Sequence, residues 1–161
     1  METVQNVANY VARKFEDHYG RKIDEMKLHK IMYFIQRESL IQTDEPMFDA
    51  AFYGWKFGPV LREVRKMFKD NAFSSMNPSD MDEKTRDIID AVFDKYADRD
   101  SWSLSWLTHG EYSWQQSRDG IPEGGNGSRP MKLEDIRVDA YRIRDRREKL
   151  NMIYPHPRKF R

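Results

Sequence analysis

The chain has 161 residues, of which 39% are hydrophobic and 34% charged, and its formal net charge is +1. That length fits one domain with one hydrophobic core, and that composition is too apolar for a disordered chain and too polar for a membrane protein. Cysteine is absent, which excludes disulfides, thiolate metal sites and a cysteine nucleophile. With no signal-like start and no apolar run of about 18 to 20 residues, a cytoplasmic protein is expected.

Val4, Val7, Val11 and Phe15 recur at three- and four-residue spacing, predicting a first amphipathic helix that Gly20 ends. Asp24 is the expected N-cap of a second helix whose inner face is Leu28, Ile31, Met32 and Ile35. Tyr33 and Phe34 widen that face, which places the helix centrally in the core. After Pro46 the aromatic texture of Met47 to Phe57 predicts a short strand or hairpin. Gly58-Pro59 is read as a break that opens a third helix, with Val60, Leu61, Val64, Met67 and Phe68 on its buried side.

A polar loop over Asn71 to Ser79 leads to a fourth helix carrying Met81, Ile88, Ile89, Val92, Phe93 and Tyr96. Ser101 is the expected cap of a short fifth helix with Leu104 and Leu107 facing inward, leaving Trp102 or Trp106 partly exposed. Residues 119–130 hold four of the eight glycines and read as a flexible loop. A last helix is expected from Glu134 to Leu150. The prolines at 155 and 157 exclude helix in the tail. The fold class is therefore mainly α (α+β): about six helices with a small β hairpin or strand between helices 2 and 3. The domain spans residues 1–151, and residues 152–161 form a basic, mobile C-terminal tail.

Charge is distributed unevenly. Residues 1–130 carry 18 basic and 22 acidic side chains, whereas residues 131–161 carry 10 basic and 5 acidic. Such a basic end either contacts nucleic acid or an acidic surface, or pairs with the chain's own acidic stretch over residues 80–100; a solvated or internally paired face is the plainer reading.

Chemistry-bearing patterns are sparse. His18, His29, His109 and His156 lie in four separate elements without metal-ligand spacing, so no metal or other cofactor is expected. There is no G-x-S-x-G elbow, and Gly124-Gly125-Asn126-Gly127 lacks the strand and the Lys-Ser/Thr of a phosphate loop. An enzyme is not expected.

Two stretches stand out. Tyr53 to Val60 packs two glycines, a proline and three aromatics into eight residues, which demands a specifically shaped turn. Trp55 and Phe57 either anchor the sheet or, with Lys56, form an exposed aromatic edge. Trp102, Trp106 and Trp114 fall within thirteen residues, more than one short helix needs for burial. His109 is read first as a C-terminal cap of its helix, ahead of any catalytic role.

With these stretches the sequence resembles the Panacea domain family, which comprises SocA-like antitoxins and phage-associated GepA-like proteins. The family helix Lys-Leu-Gln-Lys-Leu-Leu-Tyr-Phe-x-Gln is matched by Lys27-Leu28-His29-Lys30-Ile31-Met32-Tyr33-Phe34-Ile35-Gln36. The family's Pro-Leu-Phe and its Trp-Lys-Tyr-Gly-Pro-Val turn are matched by Pro46-Met47-Phe48 and Trp55-Lys56-Phe57-Gly58-Pro59-Val60. A Leu-Ser-x-Leu-Thr-His segment before a tryptophan is matched by Leu104 to His109 and Trp114, and Ile121-Pro122 fits the loop before the last helix. The resemblance runs from about Val4 to about residue 145. His29 departs from the family's glutamine, and Arg37-Glu38 stands where small and aromatic residues are common.

The resemblance implies a mostly helical fold and an antitoxin that neutralises a partner toxin by direct binding, in one type as an adaptor to an ATP-dependent protease. Lys27, Leu28, Tyr33, Gln36, Gly58 and Pro59 are then structural motif positions. The partner-binding candidates are Trp55, Lys56, Phe57, Trp102, Trp106, His109, Glu111 and Trp114. The partners expected are a protein toxin, such a protease and a second copy of the chain, with no membrane. The alternative is a phage-associated nucleic-acid-binding regulator using the basic helix and tail. A small hydrolase built on His109 and a carboxylate is a third reading.

Overall fold

The structure, a computed structural model, describes residues 1–74 and 80–153. Its helices are α1 (Val4–Tyr19), α2 (Glu25–Thr43), α3 (Arg62–Lys69), α4 (Glu83–Tyr96), α5 (Ser101–His109), α6 (Tyr112–Ser117) and α7 (Leu133–Ile153). Strands β1 (Phe52–Trp55) and β2 (Gly58–Leu61) lie between α2 and α3. The mainly α class with one small hairpin holds, with seven helices among the described residues where six are expected. The expected polar loop over Asn71 to Ser79 falls partly outside the described residues, as does the tail beyond Ile153.

The helix ends follow local chemistry. Thr3 caps α1 by accepting from the Asn6 amide, and Gly20 ends it in the left-handed conformation at φ +71°. Asp24 accepts from the Lys27 amide at 2.8 Å and starts α2, as its sequence predicts. At α5 the cap is Asp100, which accepts from the Ser103 amide. Ser101, the expected cap, is the first helical residue and donates its hydroxyl to Asp24. A carboxylate one residue earlier takes the role.

Helix α2 is the axis of the domain. Every residue from Lys27 to Ile41 is buried, and α1, α3, α4, α5, α7 and β2 pack around it. Burying a Leu or Ile completely is worth about 1.5–3 kcal/mol, and Leu28, Ile31, Ile35 and Leu40 are all fully covered. A helix buried on all sides must also satisfy its polar side chains, and four of them reach four different neighbours. Lys27 Nζ donates to the Ala97 carbonyl at the end of α4. Gln36 accepts from the Met47 and Phe48 amides and donates to the Phe48 carbonyl, so it holds the segment before β1 as a strand partner would. Tyr33 donates to Asp139 on α7, and Arg37 donates to Glu111 and to the Tyr96 hydroxyl.

The predicted third helix starts later than Gly58-Pro59. Residues Gly58 to Leu61 are β2, antiparallel to β1 with Gly54 opposite Pro59 and Trp55 opposite Gly58. The turn between the strands is Lys56-Phe57, and proline takes a strand position because pairing with β1 fixes the chain there. On the other edge of β1, residues 129–131 run alongside: Gly54 donates to Arg129 and Met131 to Phe52. The glycine-rich 119–130 loop is thus tied to the sheet at its end. Gly54 permits a second close approach, since a side chain there would lie 1.8 Å from Ser117 Oγ.

Helix α7 settles the charge asymmetry differently from the expected pairing with residues 80–100. Arg147 forms a two-pronged pair with Glu38 at 2.8 and 2.9 Å, and Arg144 pairs with Asp44, both acids lying on α2 or at its end. Asp90 of the acidic stretch is instead met by Tyr10 and Lys14 on α1. No helix among the described residues is long and apolar enough to cross a membrane.

Candidate partner-binding site

The hairpin tip is shaped by Gly58, which sits at φ +121°. L-residues rarely adopt that conformation, and a Cβ there would fall 2.7 Å from Thr108 Oγ1 and 2.9 Å from Lys30 Cε. The tip therefore lies directly on α2 and α5. Ser105 of α5 donates to the Phe57 carbonyl at 2.7 Å, fixing the tip against that helix. Phe57 is turned outward, 42% exposed, and its ring meets Trp102 edge-on at 5.2 Å.

Trp102 and Trp106 are four residues apart and share one face of α5. They are 62% and 78% exposed. Leu107, expected to face inward with Leu104, lies partly in solvent because α5 buries only Leu104, Ser105 and Thr108. With inward contacts made by small side chains at 105 and 108, both tryptophans of the helix are left outside. Phe57 and Trp102 in contact, with Trp106 one turn further along the same face of α5, make an apolar patch rimmed by Lys56, whose ammonium lies 5.1 Å from the centre of the Phe57 ring.

Beneath the patch the aromatics change character. Trp55 is half-buried under the Arg65 guanidinium, 4.8 Å from the ring centre. Its carbonyl accepts from Trp114 Nε1 at 2.8 Å, which joins α6 to β1. Trp114 stacks on His109 at 4.2 Å with the rings nearly parallel. His109 does not cap α5: Gly110 is the cap residue, and the His109 carbonyl is satisfied by Gln115 Nε2. Burial holds the His109 imidazole below its ordinary pKa, and its Nε2 is buried without a partner.

Seven of the eight candidate residues thus form one connected region: Trp102, Phe57 and Lys56 at the surface, Trp55, Trp114 and His109 as its support, and Trp106 one turn along α5. Glu111 belongs elsewhere. It is paired with Arg37 on α2, while burial pushes its carboxyl up to about 7. The adjoining Asp139 carboxylate accepts from the Tyr112 and Ser113 amides and so caps α6 from α7. This is a structural joint.

Alongside the hairpin tip a cavity of about 770 Å³ opens between the start of α2 and residues 126–128, lined by Met26, Trp55, Phe57 and Val60 with Lys30 and His29 in its wall. His29, the departure from the family's glutamine, accepts from the Leu61 amide through Nδ1 and lies 2.9 Å from Glu25 through Nε2. The Nε2 proton therefore faces Glu25, and this hydrogen bond holds that carboxyl below its ordinary pKa. The sequence reading missed the cavity. Its one signal was a lysine at position 30 inside a stretch otherwise destined for burial.

Among the described residues no group of three or more His, Asp or Glu side chains converges as a metal site. The family described as antitoxin SocA-like, Panacea domain, matches residues 28–115, from α2 into α6. That span exceeds half of the chain, and the chain belongs to this family. It contains the hairpin, α5 and the part of the cavity wall from His29 to Arg65. No curated protein and no solved structure matches the chain.

Proposed function

We propose that this protein is an antitoxin that neutralises a partner toxin by binding it, without catalysing a reaction, and that the toxin docks on the Phe57–Trp102–Trp106 patch. The observation that carries this reading is the outward placement of two tryptophans on one face of α5, 62% and 78% exposed. Tryptophan is highly buried on average, and a cluster of exposed aromatics is the composition of an interface hot spot. The packing of Trp55, Trp114 and His109 on one another and the Ser105 bond to the Phe57 carbonyl fix the hairpin tip, which favours docking by limiting the entropy lost there. Family membership gives the partner its class.

The nucleic-acid reading draws less support. Arg144 and Arg147 are engaged with Asp44 and Glu38, and Arg137 donates to the Asp44 carbonyl. That leaves fewer cations on α7 for phosphate.

Co-expression with the product of the neighbouring reading frame tests the proposal. Growth arrest by that product alone, reversed by this protein, is expected. Absence of both toxicity and binding removes the antitoxin reading. The toxin's steady-state level in rescued cells separates simple occlusion from delivery to a protease.

A further inference from the structure

Lys30 is the least accommodated charge in the domain. It is 2% exposed, yet its ammonium has no hydrogen-bond or ion-pair partner among the described residues. The acids nearest to it are committed elsewhere: Asp24 caps α2 and accepts from Ser101, and Glu25 is held by His29 and Arg65. The Trp55 ring lines the same wall, and its Nε1 is buried without a partner. The exposed surface of the wall is mostly apolar, with Met26, Phe57 and Val60 contributing, and Lys56, Arg65 and the Glu25 carboxylate, which His29 and Arg65 hold, also line it.

An unpaired cation in the wall of a mostly apolar cavity calls for a ligand that brings acceptors, one negative charge and a hydrocarbon body. A carboxylate on a short apolar stem has that chemistry. The position of the cavity identifies its source. Phe57 belongs both to the cavity wall and to the exposed patch, where it meets Trp102, so a chain laid on the patch crosses the cavity mouth.

We propose that this cavity receives an acidic side chain of the docked partner protein, with Lys30 as its counter-ion. The proposal rests on the protein-binding reading and adds the chemistry by which the partner is recognised. It also explains why the fold keeps a charged residue on its central helix at a position where methionine would fill similar space.

The test uses the full chain and two small probes, 3-phenylpropionate and 3-phenylpropionamide, followed by the Trp55 indole and Gly58 amide NMR signals. The carboxylate is expected to shift both signals saturably, binding about tenfold or more tightly than the amide. Lys30→Met keeps the aliphatic stem and is expected to equalise the two probes. Binding of the toxin is expected to abolish the carboxylate's effect. Equal affinities in the wild type, or no saturable shift, overturn the proposal even if the variant fails to fold. Undiminished probe binding in the toxin complex overturns it too, by making the cavity a small-molecule site. If Trp102 and Trp106 variants lose neutralisation while Lys30→Met retains it, the cavity proposal falls and the protein-binding reading stands.

Discussion

A lysine buried in a cavity wall without a partner costs the fold free energy. Burial pulls the Lys30 pKa from 10.5 down to about 8, equivalent to a penalty on the order of 3 kcal/mol at neutral pH. An unfolded chain keeps that proton up to its ordinary pKa, whereas the folded chain releases it near 8, so between these values the unfolded state binds more protons. The Lys30 contribution to stability therefore rises with pH from about 8 toward 10. Above that, Tyr10, raised to about 12 by burial and Asp90, reverses the slope. Lys30→Met is expected to melt at the same or a higher temperature than the wild type and to lose the rise between pH 8 and 10; a clear fall in melting temperature would make the lysine structural. Gly58 is the opposite case. At φ +121°, with Thr108 and Lys30 against it, Gly58→Val is expected to lose more than about 1 kcal/mol, read as a lowered melting temperature. The role of Gly58 was legible from its neighbours Trp55, Phe57 and Pro59. The cavity beside Lys30 was not, because it forms only when the hairpin folds back over α2.

At the scale of elements, α2 joins most of the domain through side chains that sequence periodicity leaves out. The Leu28–Ile31–Ile35 stripe was readable and placed the helix in the core. Gln36 was readable only as a motif position, since its partners, the Met47 and Phe48 backbones, come from the connection after the helix. Gln36→Leu leaves two amides and a carbonyl buried and unpaired, and is expected to cost about 2–4 kcal/mol in denaturant unfolding. Gln36→Glu keeps the acceptor for both amides and should lose less. Helix α6 escaped prediction for a related reason. It has six residues and no side-chain cap of its own, and its first amides are satisfied by Asp139, which lies on α7. The start of α3 was misplaced because proline before an apolar run resembles a helix opening, whereas pairing with β1 holds Pro59 in a strand.

For the whole molecule, the division between a folded body and a protruding end is set by where α7 stops touching α2. The Arg147–Glu38 pair lies on α7 close to its end, and residues 148–153 are exposed. Truncation after Asn151 is expected to leave helical circular dichroism nearly intact, and a cooperative loss of structure would show the end to be docked. The proposed interface lies far along the chain from that end, on α5 and the hairpin, so on that proposal shortening the chain should also leave toxin neutralisation unchanged. Alanine at Trp102 and Trp106 reverses the pattern. Both side chains are more than half in solvent, so the double variant should unfold within about 0.5 kcal/mol of the wild type. On the proposed docking their effect falls on binding: removing a hot-spot tryptophan costs about 2 kcal/mol or more, roughly thirtyfold in affinity. Neutralisation should therefore fail in the double variant while its melting curve stays in place. Trp114→Ala supplies the contrast, because its ring stacks on His109 and its Nε1 holds the Trp55 carbonyl; that variant should lose stability and neutralisation together. A double variant that folds and still neutralises the toxin would move the interface off α5.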